Sequence, residues 1–396
     1  MCGIAGEIRF DGEVADVEAV ARITGVMARR GPDGSGVHAA GPVALGHRRL
    51  KIIDLSERGA QPMVDPELGL AAVFNGCIYN YRELRAELET HGYRFFSESD
   101  TEVLFKSFHR WGAACVDHFL GMFAFAVAER ETGVLTLGRD RLGIKPLYLS
   151  ERPGRLRFAS SLPALLAGGD VDTDLDPIAL HHYLTFHSVV PAPRTILAGV
   201  RKLPPATVRT VMPDGTSTEH VYWRPEHVRR PEHAGMSTGD WNDAMLGALR
   251  LAVRRRMVAD VPVGVLLSGG LDSSLVVALL AAEGQIGLKT FSVGFHAAGG
   301  ESGDEFVYSD LVAQHFATDH RQILVDPARM LPAVNNTVAA MSEPMVSHDC
   351  VAFHLLSEEV SKSVTVVQSG QGADEVLAGY DWYPPLASTP RARGVE

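Results

Sequence analysis

The sequence predicts a two-part α/β protein. The first part is packed sheets with helices outside them, and the second is a parallel sheet with crossing helices. Three observations carry this. Short strand-like runs follow one another at 43–47 (VALGH), 70–75 (LAAVFN), 123–129 (FAFAVAE), 134–138 (VLTLG), 145–150 (KPLYLS) and 155–160 (RLRFAS), with helical segments only at 81–90 and 100–111 between them. The stretch 187–240 is frequent in Pro, Gly and His and ends in a polar run. After Trp241, strands alternate with helices, which implies βαβ units. The 396 residues suffice for two or three cores. We read 1–215 as a first domain, 216–240 as a linker and 241–396 as a second domain.

Taken in order, 3–10 (GIAGEIRF) reads as a strand. Residues 16–30 have helical spacing, with Val17, Val20, Ile23, Val26 and Met27 on one broad apolar face, and 31–36 (GPDGSG) reads as a loop. A closing strand or two is expected before the linker. In the second part we expect a helix at 241–258, a strand at 261–267 (VPVGVLL) and the loop SGGLDSS at 268–274. That loop opens a helix ending near Ala282. A strand at 289–295, helix at 304–317, strand at 321–325, helix at 351–362 and strand at 364–368 complete the pattern.

Apolar residues make up 46% and charged residues 21%, a globular composition. The net charge of −11 argues against nucleic acid or an anionic membrane as the main partner. The four cysteines form no CxxC pair and suit neither zinc nor a disulfide framework, so a cytoplasmic location is expected. No signal peptide and no apolar run of membrane-spanning length is evident.

Two stretches carry chemistry. With Met1 removed, Cys2 holds a thiol and a free α-amine on one residue, a nucleophile beside a base. An incidental cysteine on an N-terminal strand is the rival reading. Ser268-Gly269-Gly270-Leu271-Asp272-Ser273-Ser274 lies between a buried strand and a helix N-terminus. There, backbone N–H groups and hydroxyls can meet phosphate oxygens, and Asp272 can hold magnesium. It is neither a Walker loop nor a dinucleotide fingerprint. A second strand ends at Ser369-Gly370-Gln371-Gly372-Ala373-Asp374. In a parallel sheet both loops lie at carboxyl ends of strands, where ligands bind. Two unrelated surface turns are the alternative.

In this order, MCGIAG at 1–6, RGPDGSG at 30–36, GHRRLKIIDLS at 46–56, QPM at 61–63, FNGCIYNYRELR at 74–85, SDTEV at 99–103, GMFAFA at 121–126, RDRLGIKPLY at 139–148, SGGLDSS and SGQGADE resemble the glutamine-hydrolysing asparagine synthetases. The stretches 187–205, 341–350 and 368–384 resemble most the N-acetylglutaminylglutamine amidotransferase branch. The resemblance implies an N-terminal-nucleophile αββα sandwich followed by a Rossmann-like ATP-pyrophosphatase domain. It implies a glutaminase whose nucleophile is Cys2 and whose oxyanion hole is Asn75 with the Gly76 N–H. Arg49 would clamp the glutamine α-carboxylate and Asp100 would receive its α-ammonium, with Arg48 a structural neighbour. Read alone, Asp100 and Ser99 are equal candidates to cap the helix at 100–111.

For the second domain the resemblance implies ATP at Leu266, Ser268, Gly269, Gly270, Leu271, Asp272, Ser273, Ser274 and Val293, with Ser369 and Gly370 closing the site. Mg²⁺ would sit on Asp272 and Asp374. A carboxylate acceptor, aspartate or a short peptide, would be adenylated and then amidated by ammonia delivered through a channel. A homodimer is carried as an expectation.

Two positions depart from the family. Cys77 replaces a usual Glu, removing a carboxylate from the glutamine site, and Gln371 replaces a Glu near the adenylate. The resemblance fades after Pro384, and family members continue about another domain's length, including a phosphate-binding lysine that neither Lys289 nor Lys362 matches. A shortened synthetase half is therefore expected. Glutaminase activity alone, or non-catalytic binding of glutamine or ATP, are the alternatives.

Overall fold

A computed structural model describes residues 1–186, 188–226, 228, 230–295, 306–344, 347 and 349–388. The predicted helix start at 304–305, four residues of the quoted resemblance (His187, Met345, Val346, His348) and the tail from Thr389 lie outside the described residues. The chain divides into two units, Met1–Gly235 with Ala333–Ala352, and Met236–Pro332 with the residues from Phe353 onward.

The first unit runs β1 (Gly3–Arg9), α1 (Val17–Val26), β2 (Gly34–Ala40), β3 (Val43–Arg49), β4 (Met63–Asp65), β5 (Leu70–Ile78), α2 (Tyr81–Thr90), α3 (Asp100–Trp111) and α4 (Cys115–His118). It continues through β6 (Gly121–Glu129), β7 (Leu135–Arg139), β8 (Tyr148–Arg152), β9 (Arg155–Ala159), α5 (Leu162–Ala167), α6 (Pro177–Thr185), β10 (Arg201–Lys202), β11 (Thr207–Val211) and β12 (Ser217–Val221). Two six-stranded sheets form, ordered β10-β8-β9-β1-β3-β2 and β12-β11-β7-β6-β5-β4, antiparallel throughout.

Strand alternation builds the layers. Ile4 and Ile8 of β1, Leu45 of β3, Val73 of β5, Ala126 of β6 and Leu137 of β7 meet in one core between the sheets. Ala5, one residue from Ile4, turns outward to meet Ile23 of α1 and Leu165 of α5. On the other side α3 packs on β5 and α2 packs on α3. The result is the expected four-layer αββα sandwich.

Several local readings need correction. The loop expected over 31–36 becomes β2 from Gly34. Its GSGVHAA sequence lacks an apolar alternation because the strand is half exposed at a sheet edge. On α1 the buried face is Ala19, Val20, Ile23 and Thr24, while Val17 and Val26 are exposed. The expected linker contains β12, which pairs with β11 and extends the second sheet. Helix α6 was unassigned because PIALHHYLT is apolar around most of its circumference and buries only Ala179.

The second unit contains α7 (Thr238–Arg255), β13 (Val263–Leu266), α8 (Leu271–Ala282), β14 (Lys289–Phe295), α9 (Phe306–His315) and β15 (Asp319–Val325); α10 (Met330–Ala340) starts in it and belongs to the first unit from Ala333 onward. α11 (Asp349–Ser361), β16 (Val366–Gln368), α12 (Ala373–Leu377) and α13 (Tyr383–Ser388) follow. Four parallel strands are ordered β15-β14-β13-β16. Val265 and Leu267 pack with Val253 of α7, Val277 of α8 and Ala313 of α9, whereas Phe291 of β14 meets Leu356 and Val360 of α11. Helices thus cover both faces, which explains the continuous apolar run around β13.

Candidate functional site

The β1–β3 register places Gly3 opposite Arg48, so Cys2 stands beside Arg49 and Leu50 at the end of the first sheet. The Leu50 N–H donates to Cys2 Sγ at 3.3 Å, and the thiol lies 3.6 Å from the Leu50 carbonyl. Arg30 Nε donates to the Cys2 carbonyl at 3.1 Å. Burial pushes the Cys2 thiol up, against the pull of the Leu50 amide, the terminal ammonium and Lys145. Burial, aided by Arg30 and Lys145, brings the Met1 ammonium down to about 6, against an opposing pull from Cys2. Burial thus favours the protonated thiol at Cys2 and the neutral form of the Met1 amine.

Facing it, β5 supplies Asn75, Gly76 and Cys77. Asn75 alternates with Val73, so its side chain faces the first sheet; it is 1% exposed, and its Nδ2 has no hydrogen-bond partner among the described residues. Strand β4 pairs only with 70–72 of β5, so the edge beyond is open. Along that edge the Phe74 N–H donates to the Gln61 side chain at 2.6 Å and the Ile78 N–H donates to Asp100 Oδ2 at 3.1 Å. By antiparallel alternation the Gly76 N–H points to the same open edge between them. A side chain at Gly76 would fall 2.4 Å from the Met122 carbonyl, so only glycine fits. An orphaned amide donor next to an edge N–H is the kind of donor pair an oxyanion requires.

Arg49 is 5% exposed and donates to the carbonyls of Ser56, at 2.7 Å, and Asp54. Arg48 instead holds the Thr24 carbonyl of α1 at 3.1 Å, a structural role. Ser99 caps α3 through the Thr101 N–H, leaving the Asp100 side chain to reach Ile78. Burial, then the charge of Asp100, holds the Cys77 thiol well above its usual range, which keeps it un-ionised. The sequence reading missed Lys145 and Arg30. Lys145 is 5% exposed and its Nζ lies 3.2 Å from Met1 Sδ. Neither could be assigned from spacing, because the fold brings them to Cys2 from distant segments.

The second centre follows from strand order. β13, β14 and β15 proceed one way across the sheet and β16 lies on the other side of β13, so a crevice opens at their carboxyl ends. It has a volume of about 640 Å³. Leu266, Ser268, Gly270, Leu271, Asp272, Ser273, Val293, Ser369, Gly370, Gln371 and Asp374 line it; Gly269 and Ser274 of the expected set do not. Phe306, Ser309, Phe353 and Leu356 also line it, helix residues that no loop motif could announce. Gly269, at φ +89°, lies against α9, where a Cβ would come 2.6 Å from the Ser309 nitrogen. Ser274 turns back to the Gly270 carbonyl at 2.7 Å. No side chain caps α8, so its first N–H groups face the crevice. Burial and the facing charge of Asp374 raise the Asp272 carboxyl. Two carboxylates that repel each other beside a phosphate-type helix terminus fit a Mg²⁺ shared with phosphate oxygens. No cluster of three or more metal-type side chains occurs among the described residues. No helix among those residues is long and apolar enough to cross a membrane.

Comparison with known proteins follows the same division. A family model described as a glutamine amidotransferase domain matches 1–223, and one described as asparagine synthase matches 244–394. The chain is 32% identical to an asparagine synthetase [glutamine-hydrolyzing] of Bacillus subtilis, over 97% of this chain and 64% of that one. It is 34% identical to a putative asparagine synthetase of Methanocaldococcus jannaschii, over 96% of this chain and 76% of that one. Among solved structures, a B. subtilis glutamine phosphoribosylpyrophosphate amidotransferase aligns at 14% identity and a TM-score of 0.45, over 96% of this chain and 94% of that one. The chain spans 64% and 61% of the length of the first two curated relatives it matches. By its two matched domains and these relatives, the chain belongs to the glutamine-hydrolysing asparagine synthetase family.

Proposed function

We propose that the protein transfers the amide nitrogen of glutamine to a carboxylate acceptor at the expense of ATP. The observation that carries the first half is the buried, orphaned Asn75 Nδ2 on β5, a strand packed against β1, before whose first residue the Cys2 thiol is held by the Leu50 N–H. Cys2 Sγ attacks the side-chain carbonyl carbon of glutamine. Its proton passes to the α-amine and from there to the departing nitrogen, which leaves as ammonia. Asn75 and Gly76 donate to the oxyanion, a donor of this kind typically contributing about 3 kcal/mol. Water then cleaves the γ-glutamyl thioester, releasing glutamate and restoring the thiol. Arg49 meets the substrate α-carboxylate and Asp100 its ammonium. Cys77 leaves no charge at its position, so recognition falls to Arg49 and Asp100.

In the second unit Ser268, Gly269, Gly270, Leu271, Asp272, Ser273 and Ser274 bind ATP with Leu266, Val293, Ser369 and Gly370, and Gln371 lies beside the adenylate. The acceptor carboxylate attacks the α-phosphorus, pyrophosphate leaves, and ammonia then displaces AMP from the acyl group. Mg²⁺ held by Asp272 and Asp374 would neutralise phosphate charge and align the phosphates. The acceptor is aspartate or a short glutamine-derived peptide.

The test is glutamate release from glutamine, with wild type active and Cys2→Ala inactive; equal release from both would overturn the nucleophile. Acceptor-dependent ATP–pyrophosphate exchange, run with aspartate and with the dipeptide, tests the second half and identifies the acceptor. Exchange with neither would refute the synthetase reading and leave glutaminase activity alone.

A further inference from the structure

Both arms proposed to hold the glutamine head group lead back to one side chain. Asp54 is buried and takes a left-handed backbone, φ +54°, a conformation that Asp and Asn tolerate better than most residues. One carboxylate oxygen accepts from the Ser56 N–H at 3.0 Å and from the Ser56 hydroxyl. The other accepts from the Glu98 N–H at 2.9 Å. On the first side, the carbonyls of Asp54 and Ser56 are the two that hold the Arg49 guanidinium. Gly59 leaves room for that guanidinium, since a Cβ there would lie 2.3 Å from Arg49 Nη2. On the second side, Glu98 is followed by the Ser99 cap and by Asp100, the first residue of α3. The segment 96–97 is in turn fastened to the buried Glu102 carboxylate, through the Ser97 N–H at 2.7 Å and the Phe96 N–H at 3.0 Å.

We propose that Asp54 is a positioning residue that fixes the span between Arg49 and Asp100, and so makes the glutaminase site select an α-amino-acid head group. This rests on the glutaminase reading above and deepens it. Asp54 touches no reacting atom. Its two oxygens face opposite segments, one carrying the carbonyls that aim Arg49 and one carrying the helix start that presents Asp100. A rigid spacer of this kind acts on substrate binding and not on the thiol chemistry. An amide cannot replace it: Asn at this position accepts through one atom only, and its Nδ2 turns a donor toward either the Ser56 or the Glu98 N–H.

The experiment uses the full chain with Asp54→Asn, and Ser56→Ala as a milder second variant that keeps the backbone carbonyl. Two quantities are read: steady-state glutamine hydrolysis, and protection of Cys2 by glutamate against iodoacetamide, a reagent without an amino-acid head group. We expect Asp54→Asn to raise KM for glutamine at least tenfold with kcat within threefold, and to weaken glutamate protection by a similar factor. The rate of unprotected Cys2 alkylation should remain that of wild type. Ser56→Ala should shift KM in the same direction by about threefold. An unchanged KM with only a lowered melting temperature, or a loss confined to kcat, overturns the proposal; if Asp54→Asn does not fold, the same criteria apply to Ser56→Ala. A wild type that neither hydrolyses glutamine nor is protected by glutamate fails the glutaminase reading itself.

Discussion

His47 shows how one residue ties β5, the strand that carries Asn75, to the first sheet. It is fully buried on β3, and its Nε2 lies 3.1 Å from the Phe74 carbonyl, one residue before Asn75. Burial brings its pKa down to about 3. The ring is therefore neutral, and its Nε2–H donates to Phe74. Because the folded value lies below the unfolded value of 6.5, both states are neutral above that pH and nothing is lost there. As pH falls further, the unfolded chain binds a proton that the fold refuses, so stability declines by up to about 1.4 kcal/mol per pH unit toward pH 3. Urea unfolding at pH 7.5 and pH 5 should show this. His47→Gln should remove about 2 kcal/mol of the difference between the two pH values; an identical difference in wild type and variant contradicts the assignment. Single residues were legible in the sequence where chemistry needs a rare arrangement, as at Cys2 or the Ser-Gly loop. Asp54 and Lys145 were not, since their meaning comes from neighbours distant in sequence.

At the scale of elements, one of the stretches that carry the family resemblance is architectural. In RDRLGIKPLY, the buried Asp140 carboxylate accepts from the backbone N–H groups of Phe123, Leu142, Ile144 and Lys145, all within 3.1 Å. Arg139 meanwhile holds the carbonyls of Lys145 and Gly143 at 2.8 and 2.7 Å. Asp140→Ala leaves four donors unmet and should destabilise the fold by about 3 kcal/mol or more, read by urea unfolding; a change under about 1 kcal/mol would show that the loop does not depend on it. In the second unit, a Cβ at Gly370 would stand 2.8 Å from Asp272 Cβ and 2.9 Å from the Ser273 nitrogen. Gly370→Ala should therefore weaken ATP binding at least tenfold by calorimetry, and unaltered affinity would argue against ATP in this crevice. The strands with strong apolar runs and the helices at 81–90 and 100–111 were readable from period alone. β2, β12, α5 and α6 were not, being short, edge-exposed or apolar without a helical stripe.

For the whole molecule, the proposed function assigns one chemistry to each unit, so a substitution in one should spare the other. Asp272→Asn should abolish acceptor-dependent ATP–pyrophosphate exchange while glutamine hydrolysis at Cys2 continues. Loss of both together would contradict the division of labour. A change of architecture is legible in the sequence, from clustered short strands to alternating strands and helices. At the centre of the proposed function, Cys2 is the nucleophile and its own α-amine is the base. The most direct measurement is intact-mass and peptide-mass analysis after treatment with a diazoketone analogue of glutamine. The predicted result is one label per active chain, on Cys2, in chains lacking Met1. A label on Cys77, or full labelling and glutaminase activity in chains that retain Met1, would contradict the account.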